Sequence, residues 1–536
     1  MQKTLSIKLF IIAGLCIIFA IGLNMVSSVI YERQNYADSV VIEIAQQHVN
    51  PQEIITPFIT IPTTVMPECT IDTKDKAIKC PSSYSKLETI FATQTQATQN
   101  LEVSTDTYQR GIYHATSYRG DVKFDQSYLL KEHFLTEPLS NQVTSSLNES
   151  DNTSIVAANT EKTSENTVGS TAKKTVTHWN EAKLIIPVSD LRGVATLPTV
   201  TIDQQQIKAT YPQTAMLRDL TYVEVSLPQH ILTRLNSQSS DPSHLQTSNQ
   251  NNKPVEIMVN LPLSGISNLN TVPTGQNFEL TMNSNWHAPN FIGKALPNAK
   301  SFTSDGFEAN WQNQYLTIAN NQRLSQCLST PNSQCNVISK ASLNTGSYPS
   351  ELEADGYPYA SEAAVAVEEA SDAASNGSIR LNSFGVSFAE PNDVYLQTER
   401  TMKYALLLIL VSFGTFFSFE VIKSSRIHPI QYLLVGCALL VFYVLLLPLA
   451  EQIVFWKAYA IAATACVGLI GWYTYYVPSG VKRAAIFTTI LAGLYASFYG
   501  ILTIEDMNLL LGAVFCFALI ASVMVMTRKI DWYQVT

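Results

Sequence analysis

Two motifs in one polar segment have the residue types of an acyl-transfer site. Ser170 and Lys173 match S-x-x-K, and Ser150-Asp151-Asn152 matches the S-D-N motif that accompanies it in penicillin-binding enzymes. The two motifs stand in reversed order, and no K-T-G follows them. Both lie in a Ser/Thr/Asn-rich stretch whose composition buries too little apolar area to hold a nucleophile rigidly. We interpret both matches as chance and predict no catalytic residue.

The histidines and cysteines do not have the spacing of a metal site. The 8 histidines are scattered, and none pairs at a helical ligand spacing. Half of the cysteines lie in polar parts of the chain: Cys69, Cys80, Cys327 and Cys335. Because their spacings are long and no histidine stands beside them, we expect disulfides in an oxidising compartment. Three connectivities are possible, and we favour the short loops Cys69–Cys80 and Cys327–Cys335. No cofactor is expected.

Six apolar runs are each long enough to cross a hydrocarbon core of about 30 Å. The first, residues 9–30, follows the short segment 1–8 and exceeds the apolar part of a cleavable signal peptide, so we predict an uncleaved anchor. The other runs lie near the C-terminus, at residues 402–422, 430–449, 458–477, 484–503 and 508–527. The pattern predicts a membrane protein with one N-terminal transmembrane helix, a C-terminal bundle of about five, and the lipid bilayer as a partner.

Lysine and arginine near the run ends predict the orientation. They alternate with acidic connections, which places Lys3, Lys423, Lys482 and the tail 528–536 on one side and Glu451 on the other. The positive-inside rule then makes both termini cytoplasmic and puts residues 31–400 outside the membrane. The net charge of -9 gives no basic field for nucleic acid, so no nucleic-acid partner is expected.

The outside domain is predicted to be rich in antiparallel β-structure, which makes the fold class α+β. Apolar residues recur at helical spacing through 31–49, so the first membrane helix continues outward. Strict alternation marks strands at Val255–Leu261 and Phe278–Met282, and further strands are expected at 54–65, 183–188 and 222–227. Three polar inserts near 137–174, 236–253 and 329–382 read as loops, with one short helix near 360–374 in the third.

Charges within the apolar runs lie near the run ends. Lys403 can extend its ammonium to the outer interface, and Glu420 stands three residues before Lys423, a neighbouring position on a helix. A charge at the centre of the membrane is costly and usually marks function. Because no run carries one, the sequence disfavours an ion-coupled transporter.

Short motifs distributed along the chain resemble the CreD family of inner-membrane proteins. They keep their order and cover nearly the whole length, apart from the three polar inserts. They are Tyr31-Glu32-Arg33 with Tyr36, Pro57–Pro62, Gly111-Ile112-Tyr113, Ser189–Val194, Asn283–Trp286, Gly306-Phe307 with Trp311-Gln312, Thr398–Ile409, Phe419-Glu420, His428–Gly436 and Ile530–Gln534.

The resemblance implies an inner-membrane protein of Gram-negative bacteria that is linked to cell-envelope integrity, envelope stress and the β-lactam response. It implies expression under a two-component regulatory system and no established enzyme activity. It also draws attention to a polar cluster at the membrane interfaces, for which a structural role is expected: Arg400, Lys403, Glu420, His428 and Gln431.

Three hypotheses of function follow. The first is a non-enzymatic envelope-integrity protein whose outside domain binds envelope components or other membrane proteins. The second is a transporter or channel, which needs a polar path through the helix bundle; the candidates are Asn24, Gln431, Thr464 and Ser497. The third is an envelope-directed hydrolase, which needs a nucleophile and a base that converge in one cleft.

Overall fold

The chain folds into two compact units. The computed structural model describes residues 2–66, 70–71, 78–79, 82–129, 174–212, 220–237, 253–329, 381–388, 394–423, 428–476, 481–503 and 508–527. Unit 1 comprises Met1–Val41, Gln109–Tyr113 and Glu390–Thr536, and unit 2 comprises Ile42–Tyr108 and His114–Ala389. The predicted inserts and the predicted helix at 360–374 lie almost wholly outside the described residues, as do the matches at Ser150 and Ser170.

The described residues form nine α-helices. They are α1 (Gln2–Gln47), α2 (Gln229–Ser237), α3 (Gln314–Ser329), α4 (Val394–Lys403), α5 (Ala405–Lys423), α6 (Pro429–Ala450), α7 (Phe455–Tyr476), α8 (Val481–Thr503) and α9 (Asn508–Thr527). Within the described residues, four helices are long and apolar enough to cross a membrane, or five if the bent pair α4–α5 counts as one span. α9 lies at the position of the last predicted span. A single helix also continues from the first span to Gln47, as the helical spacing predicts.

The predicted span at 402–422 is not one straight helix. α4 and α5 meet at Tyr404 with a bend of 43° between Gln397–Lys403 and Ala405–Phe417. The sequence contains neither proline nor glycine here, so the usual signals for a kink are missing. α4 is a separate polar helix that carries the Thr398–Lys403 motif, whereas α5 is apolar.

Small residues let the helices of unit 1 approach closely. A Cβ atom added to Gly436 of α6 would lie 2.1 Å from the Phe19 ring of α1, and one added to Gly22 would lie 2.6 Å from Leu440. Close approach at small residues is how helices gain packing energy in lipid, where no hydrophobic effect drives association. Gly436 therefore fixes α1 against α6.

The described residues also form nineteen strands, nearly all of them in unit 2. They are β1 (Gln52–Ile55), β2 (Phe58–Met66), β3 (Thr70–Ile71), β4 (Ile78–Lys79), β5 (Tyr84–Ile90), β6 (Gln94–Arg110), β7 (Tyr113–Tyr128), β8 (Lys174–Thr177), β9 (Lys183–Pro187), β10 (Thr199–Ile202), β11 (Gln205–Lys208), β12 (Tyr222–Ser226), β13 (Val255–Ile266), β14 (Asn268–Val272), β15 (Asn277–Ser284), β16 (Asn290–Gly293), β17 (Ala299–Thr303), β18 (Gly306–Gln312) and β19 (Phe384–Ser387).

The strands of unit 2 build three main sheets. The eight-stranded sheet has the order β11-β10-β13-β7-β6-β15-β18-β17, the five-stranded sheet β12-β9-β2-β5 with β8 beside β2, and the four-stranded sheet β1-β14-β19-β16. The β-rich, mainly antiparallel character and the α+β class are confirmed. Antiparallel pairing is not universal, because β15 pairs with β6, and β14 with β1, in parallel.

The single strand expected at 54–65 is in fact two. β1 ends at Ile55 and β2 begins at Phe58. Pro57 between them has no N–H for a strand ladder, and its carbonyl accepts a 2.9 Å hydrogen bond from Tyr128 Oη. The chain uses this break to pass from the four-stranded to the five-stranded sheet.

Candidate functional site

A row of polar side chains crosses the strands on the solvent-facing side of the eight-stranded sheet. Asn100 and Glu102 are exposed on β6. Glu102 lies 3.9 Å from the guanidinium of Arg119 on β7, and Asn100 Oδ1 accepts a 3.0 Å hydrogen bond from Asn283 Nδ2 on β15. Asn283 is in register with Glu308 on β18. These five residues, here called the polar row, therefore span four adjacent strands.

The polar row lies in an open cleft of about 1110 Å³. Ligand pockets usually measure about 300–1,000 Å³, so this cleft has room for a small molecule or a short polymer segment. Gly306 closes one wall at the β17–β18 turn, where its φ of +138° and a Ser284 carbonyl 1.9 Å from any added Cβ atom leave room for glycine alone. Two of the family-like motifs, Asn283–Trp286 and Gly306-Phe307, thus contribute to the cleft.

Two serine hydroxyls of the cleft are engaged in structural hydrogen bonds. Ser117 Oγ donates to the Ser104 carbonyl at 3.2 Å, and Ser264 Oγ donates to the Gly193 carbonyl at 3.1 Å. A serine nucleophile instead needs a base within hydrogen-bond reach of its hydroxyl. The part of the chain that the structure describes also holds no group of three side chains suited to a metal ion. These two serine hydroxyls therefore help to hold the walls of the cleft together.

Several hydrogen bonds converge on Asp190, three residues before Gly193 of the cleft lining. Its carboxylate accepts hydrogen bonds from the Asn50 main-chain N–H at 3.0 Å and from Arg192 Nη2 at 2.6 Å. Arg192 Nη1 in turn donates to the Gln46 carbonyl at 2.5 Å. Burial alone raises the pKa of Asp190, but the bonds from Arg192 and Asn50 outweigh it and lower this pKa below its usual value. The Ser189–Val194 motif thus ties the end of α1 to the sheets of unit 2.

A second polar cluster lies in unit 1 and unites three motifs that are distant in sequence. Tyr31 Oη donates to Glu399 at 3.4 Å, and Glu399 also lies 3.2 Å from Lys403 Nζ. The Tyr36 and Tyr113 rings meet edge to face at 5.6 Å. We use the name tyrosine cluster for the polar and aromatic side chains that meet where α1, residues 109–113, α4 and the C-terminal end of α6 come together. Its tyrosines are Tyr31, Tyr36, Tyr113 and Tyr395.

Tyr395 connects the tyrosine cluster to the end of α6. It is 8% exposed, and its hydroxyl donates to Glu451 Oε1 at 3.0 Å. Tyr113 and Arg33 lie beside the same groups. Because the motif residues contact one another rather than an open cavity, the arrangement indicates that they join the helix ends.

Tyr395→Phe should destabilise unit 1 by about 1–2 kcal/mol, because the carboxylate of Glu451 loses the hydrogen bond that the Tyr395 hydroxyl donates to it. Thermal unfolding of the full chain in lipid nanodiscs measures this. The matched control is Tyr475→Phe, since Tyr475 is 51% exposed and should change stability little. Equal melting temperatures for Tyr395→Phe and the unaltered protein would show that the bond contributes nothing.

The residues of the predicted interface cluster occupy both ends of α5. Lys403 pairs with Glu399 on α4, where Arg400 also lies, half-buried. His428 and Gln431 form a capping box at the start of α6, with Ile430 N donating to His428 Nδ1 at 3.3 Å. The 19 residues of α5 rise about 28 Å, so these are two separate groups. The side chain of Glu420 lies outside the described residues.

The predicted disulfides fall largely outside the described residues, which include neither Cys69, Cys80 nor Cys335. Cys327, near the end of α3, is disulfide-bonded and 2% exposed. Its pairing with Cys335 stays a prediction. Sequence reasoning singled out Asn283 and Glu451 separately, but it missed the polar row and the Tyr395–Glu451 bond, because nothing in the residue types or spacing brings these partners together.

The comparisons with known proteins agree with this architecture. A family model described as "Inner membrane protein CreD" matches residues 4–533. The "Inner membrane protein CreD" of Escherichia coli (strain K12) is 27% identical over 533 residues, which cover 99% of this chain and 95% of that protein. No solved structure matches the chain. The family model extends over nearly the whole length, and the described residues include four or five helices that are long and apolar enough to cross a membrane. The chain therefore belongs to the CreD family of inner membrane proteins.

Proposed function

We propose that this protein supports cell-envelope integrity and the response to envelope and β-lactam stress without catalysing a reaction. Its sheet domain lies on the periplasmic side, both termini are cytoplasmic, and the domain binds an envelope component or another membrane protein. The observation that carries the proposal is the open cleft of about 1110 Å³ on the eight-stranded sheet. Its polar row offers many hydrogen-bonding groups, and the hydroxyls of Ser117 and Ser264 are held by main-chain carbonyls.

The hydrolase alternative loses support at this cleft. The hydroxyls of Ser117 and Ser264 donate to carbonyl oxygens, which cannot remove a proton from them. The charged pair Glu102–Arg119 is exposed on both sides, with side chains 73% and 75% accessible. Catalytic charges are usually placed where burial perturbs them. Exposed and mutually paired groups suit reversible binding.

The transporter alternative loses support in the helix bundle. Of the polar residues that could line a path, Asn24, Thr464 and Ser497 lie on the exposed surface of their helices. The bundle interior, around Phe442 and Tyr495, holds a void of only about 10 Å³. That is about the volume of one water-sized probe, too small for a solute. The described part of the bundle is packed like a structural core.

A complementation experiment tests the proposed function. Gram-negative cells that lack their own relative are challenged with detergent and a β-lactam while they express the full chain, the variant Asn100→Ala/Asn283→Ala, or the control Gln312→Ala. Gln312 carries the same amide on the same sheet face, bonded to Glu279 at 2.8 Å and outside the cleft lining. We expect the full chain and the control to restore resistance and the double variant to lose most of it.

The level of each protein in the membrane is checked by immunoblot, because a lost protein would mimic a lost function. If the full chain at normal level restores no resistance, the proposed envelope role is wrong. If the double variant restores resistance as well as the full chain, the cleft does not carry the role. A version that ends near residue 425 then shows whether the last helices are needed instead.

A further inference from the structure

The polar row is arranged to meet a ligand that both donates and accepts hydrogen bonds along its length. The Asn283–Asn100 hydrogen bond uses one Asn283 donor and the Asn100 carbonyl oxygen, which leaves Asn100 Nδ2 to donate and Asn283 Oδ1 to accept. Glu102 and Glu308 add acceptors, and Arg119 adds donors. The polar row therefore presents both donors and acceptors across β7, β6, β15 and β18.

The spacing of these groups is fixed by the sheet. Neighbouring strands lie about 4.8 Å apart, so the row from Arg119 to Glu308 covers three strand intervals, or roughly 14 Å. Asn285 clamps the underlying backbone, since its Oδ1 accepts from Val103 N at 2.7 Å and its Nδ2 donates to Val103 O at 3.1 Å. A rigid row of this length matches an extended chain rather than a single small molecule.

The charge of the cleft selects against anions. Four carboxylates line it, those of Glu102, Asp121, Asp305 and Glu308, against the single cation Arg119 among the lining residues. A polyanion would be repelled by this excess of negative charge. An uncharged chain meets no such penalty, and its hydroxyls can donate to the carboxylates that an anion would avoid.

Tyr108 supplies a flat apolar surface at the edge of the cleft. Its ring is half-buried, and the His48 imidazole lies 4.4 Å from it at an interplanar angle of 37°, which holds it in place. A tyrosine offers an apolar ring surface and a polar hydroxyl at its tip. Sugar rings have the complementary character, with C–H groups on one face and hydroxyls around the edge.

We propose that the cleft binds an uncharged saccharide chain, rich in hydroxyl and N-acetyl groups, laid across strands β7, β6, β15 and β18. The proposal rests on the proposed envelope role and names the ligand class for the same cleft. Asn100 and Asn283 provide the central contacts, and Glu102 and Glu308 accept from hydroxyls. Tyr108 lies farther along β6, at the edge of the same cleft.

The test uses the full chain in lipid nanodiscs, because a maltoside detergent would itself present sugar to the cleft. The probe is a tetramer of N-acetylglucosamine, titrated by calorimetry and followed by saturation-transfer NMR. We expect saturable binding that Asn100→Ala/Asn283→Ala weakens about tenfold or more, since two amides each lose at least one hydrogen bond. Gln312→Ala should bind like the unaltered protein, and all three should unfold at similar temperatures.

Three results would overturn the proposal. These are no saturable binding by the unaltered protein, equal binding by the double variant, or binding of a lysine-rich peptide with none of the saccharide. The last result would make the acidic cleft a site for a basic protein segment. If the saccharide fails while complementation still depends on Asn100 and Asn283, the envelope role stands and only the ligand class is wrong.

Discussion

Trp311→Ala should lower the free energy of unfolding of unit 2 by about 3–5 kcal/mol, the range measured when a buried aromatic is truncated to alanine. Trp311 is 1% exposed, and its ring stacks on Phe384 with centroids 5.5 Å apart and lies 5.7 Å from Phe291. Removing it opens a cavity between two sheets, because Trp311 belongs to β18 and Phe384 to β19. The Ala295 carbonyl also loses the 3.2 Å bond from Nε1.

Thermal unfolding of the full chain in nanodiscs measures this effect, with an expected fall in melting temperature of roughly 6–20 °C. The matched control is Phe302→Ala on β17, an aromatic of the same sheet that is 55% exposed and should cost little. A loss below about 1 kcal/mol for Trp311→Ala would mean that the aromatic cluster relaxes around the gap and does not hold the two sheets together.

Strands with an uninterrupted apolar face were predicted, whereas the two longest strands of the sheet were missed. β13 and β15 follow strict alternation, so Val255 and Phe278 mark them directly. β6 and β7, of 17 and 16 residues, form the centre of the sheet, yet their buried positions include Thr95 and Gln99. Gln99 Nε2 satisfies its burial by donating to Thr271 Oγ1 at 2.9 Å. Both strands also bury apolar residues, among them Leu101, Val122 and Phe124, but polar residues such as Gln99 interrupt that face and weaken the alternation.

The candidate site could not be predicted from the sequence either. Asn100 and Asn283 are 183 residues apart and meet only because β6 and β15 pair in parallel. Parallel pairing requires a crossover connection, and no local turn signal fixes its register. The family-like motifs pointed to Asn283 and to Tyr31, but they carried no information about partners. The polar row and the tyrosine cluster both form through contacts between segments that are far apart in sequence, which local sequence patterns do not reveal.

The opposite holds for the membrane helices, where composition is nearly sufficient. Lipid forces every backbone polar group to be satisfied within the segment, so a long apolar run has helix as its one available structure. What composition missed was the boundary at Tyr404, since α4 is a polar helix joined to the apolar α5. Its Thr398 is fully buried, with its hydroxyl bonded to the Val394 carbonyl at 2.6 Å.

Asp190→Asn should destabilise unit 2 by about 2 kcal/mol at neutral pH, because the charge-assisted bonds with Arg192 become neutral ones. The Asp190 side chain is 10% exposed and that of Arg192 is 45% exposed, so solvent screens part of the attraction. The substitution keeps the size of the side chain. A loss of stability therefore reports the charge and its hydrogen bonds rather than a cavity.

The pH dependence of the stability difference between Asp190→Asn and the unaltered protein tests this prediction more specifically. The folded-state pKa of Asp190 is lowered, so its contribution is fully present above the unfolded-state pKa of about 3.9 and is lost as the pH falls through the folded value. The unaltered protein should therefore be more stable than Asp190→Asn at pH 7, and the two melting curves should converge in acid. Glu256→Gln, an exposed acid on β13, is the control and should show no such convergence. A difference that stays constant from pH 7 into acid would mean that Asn fails for steric reasons and that the Asp190–Arg192 pair does not fasten the end of α1 to the sheets.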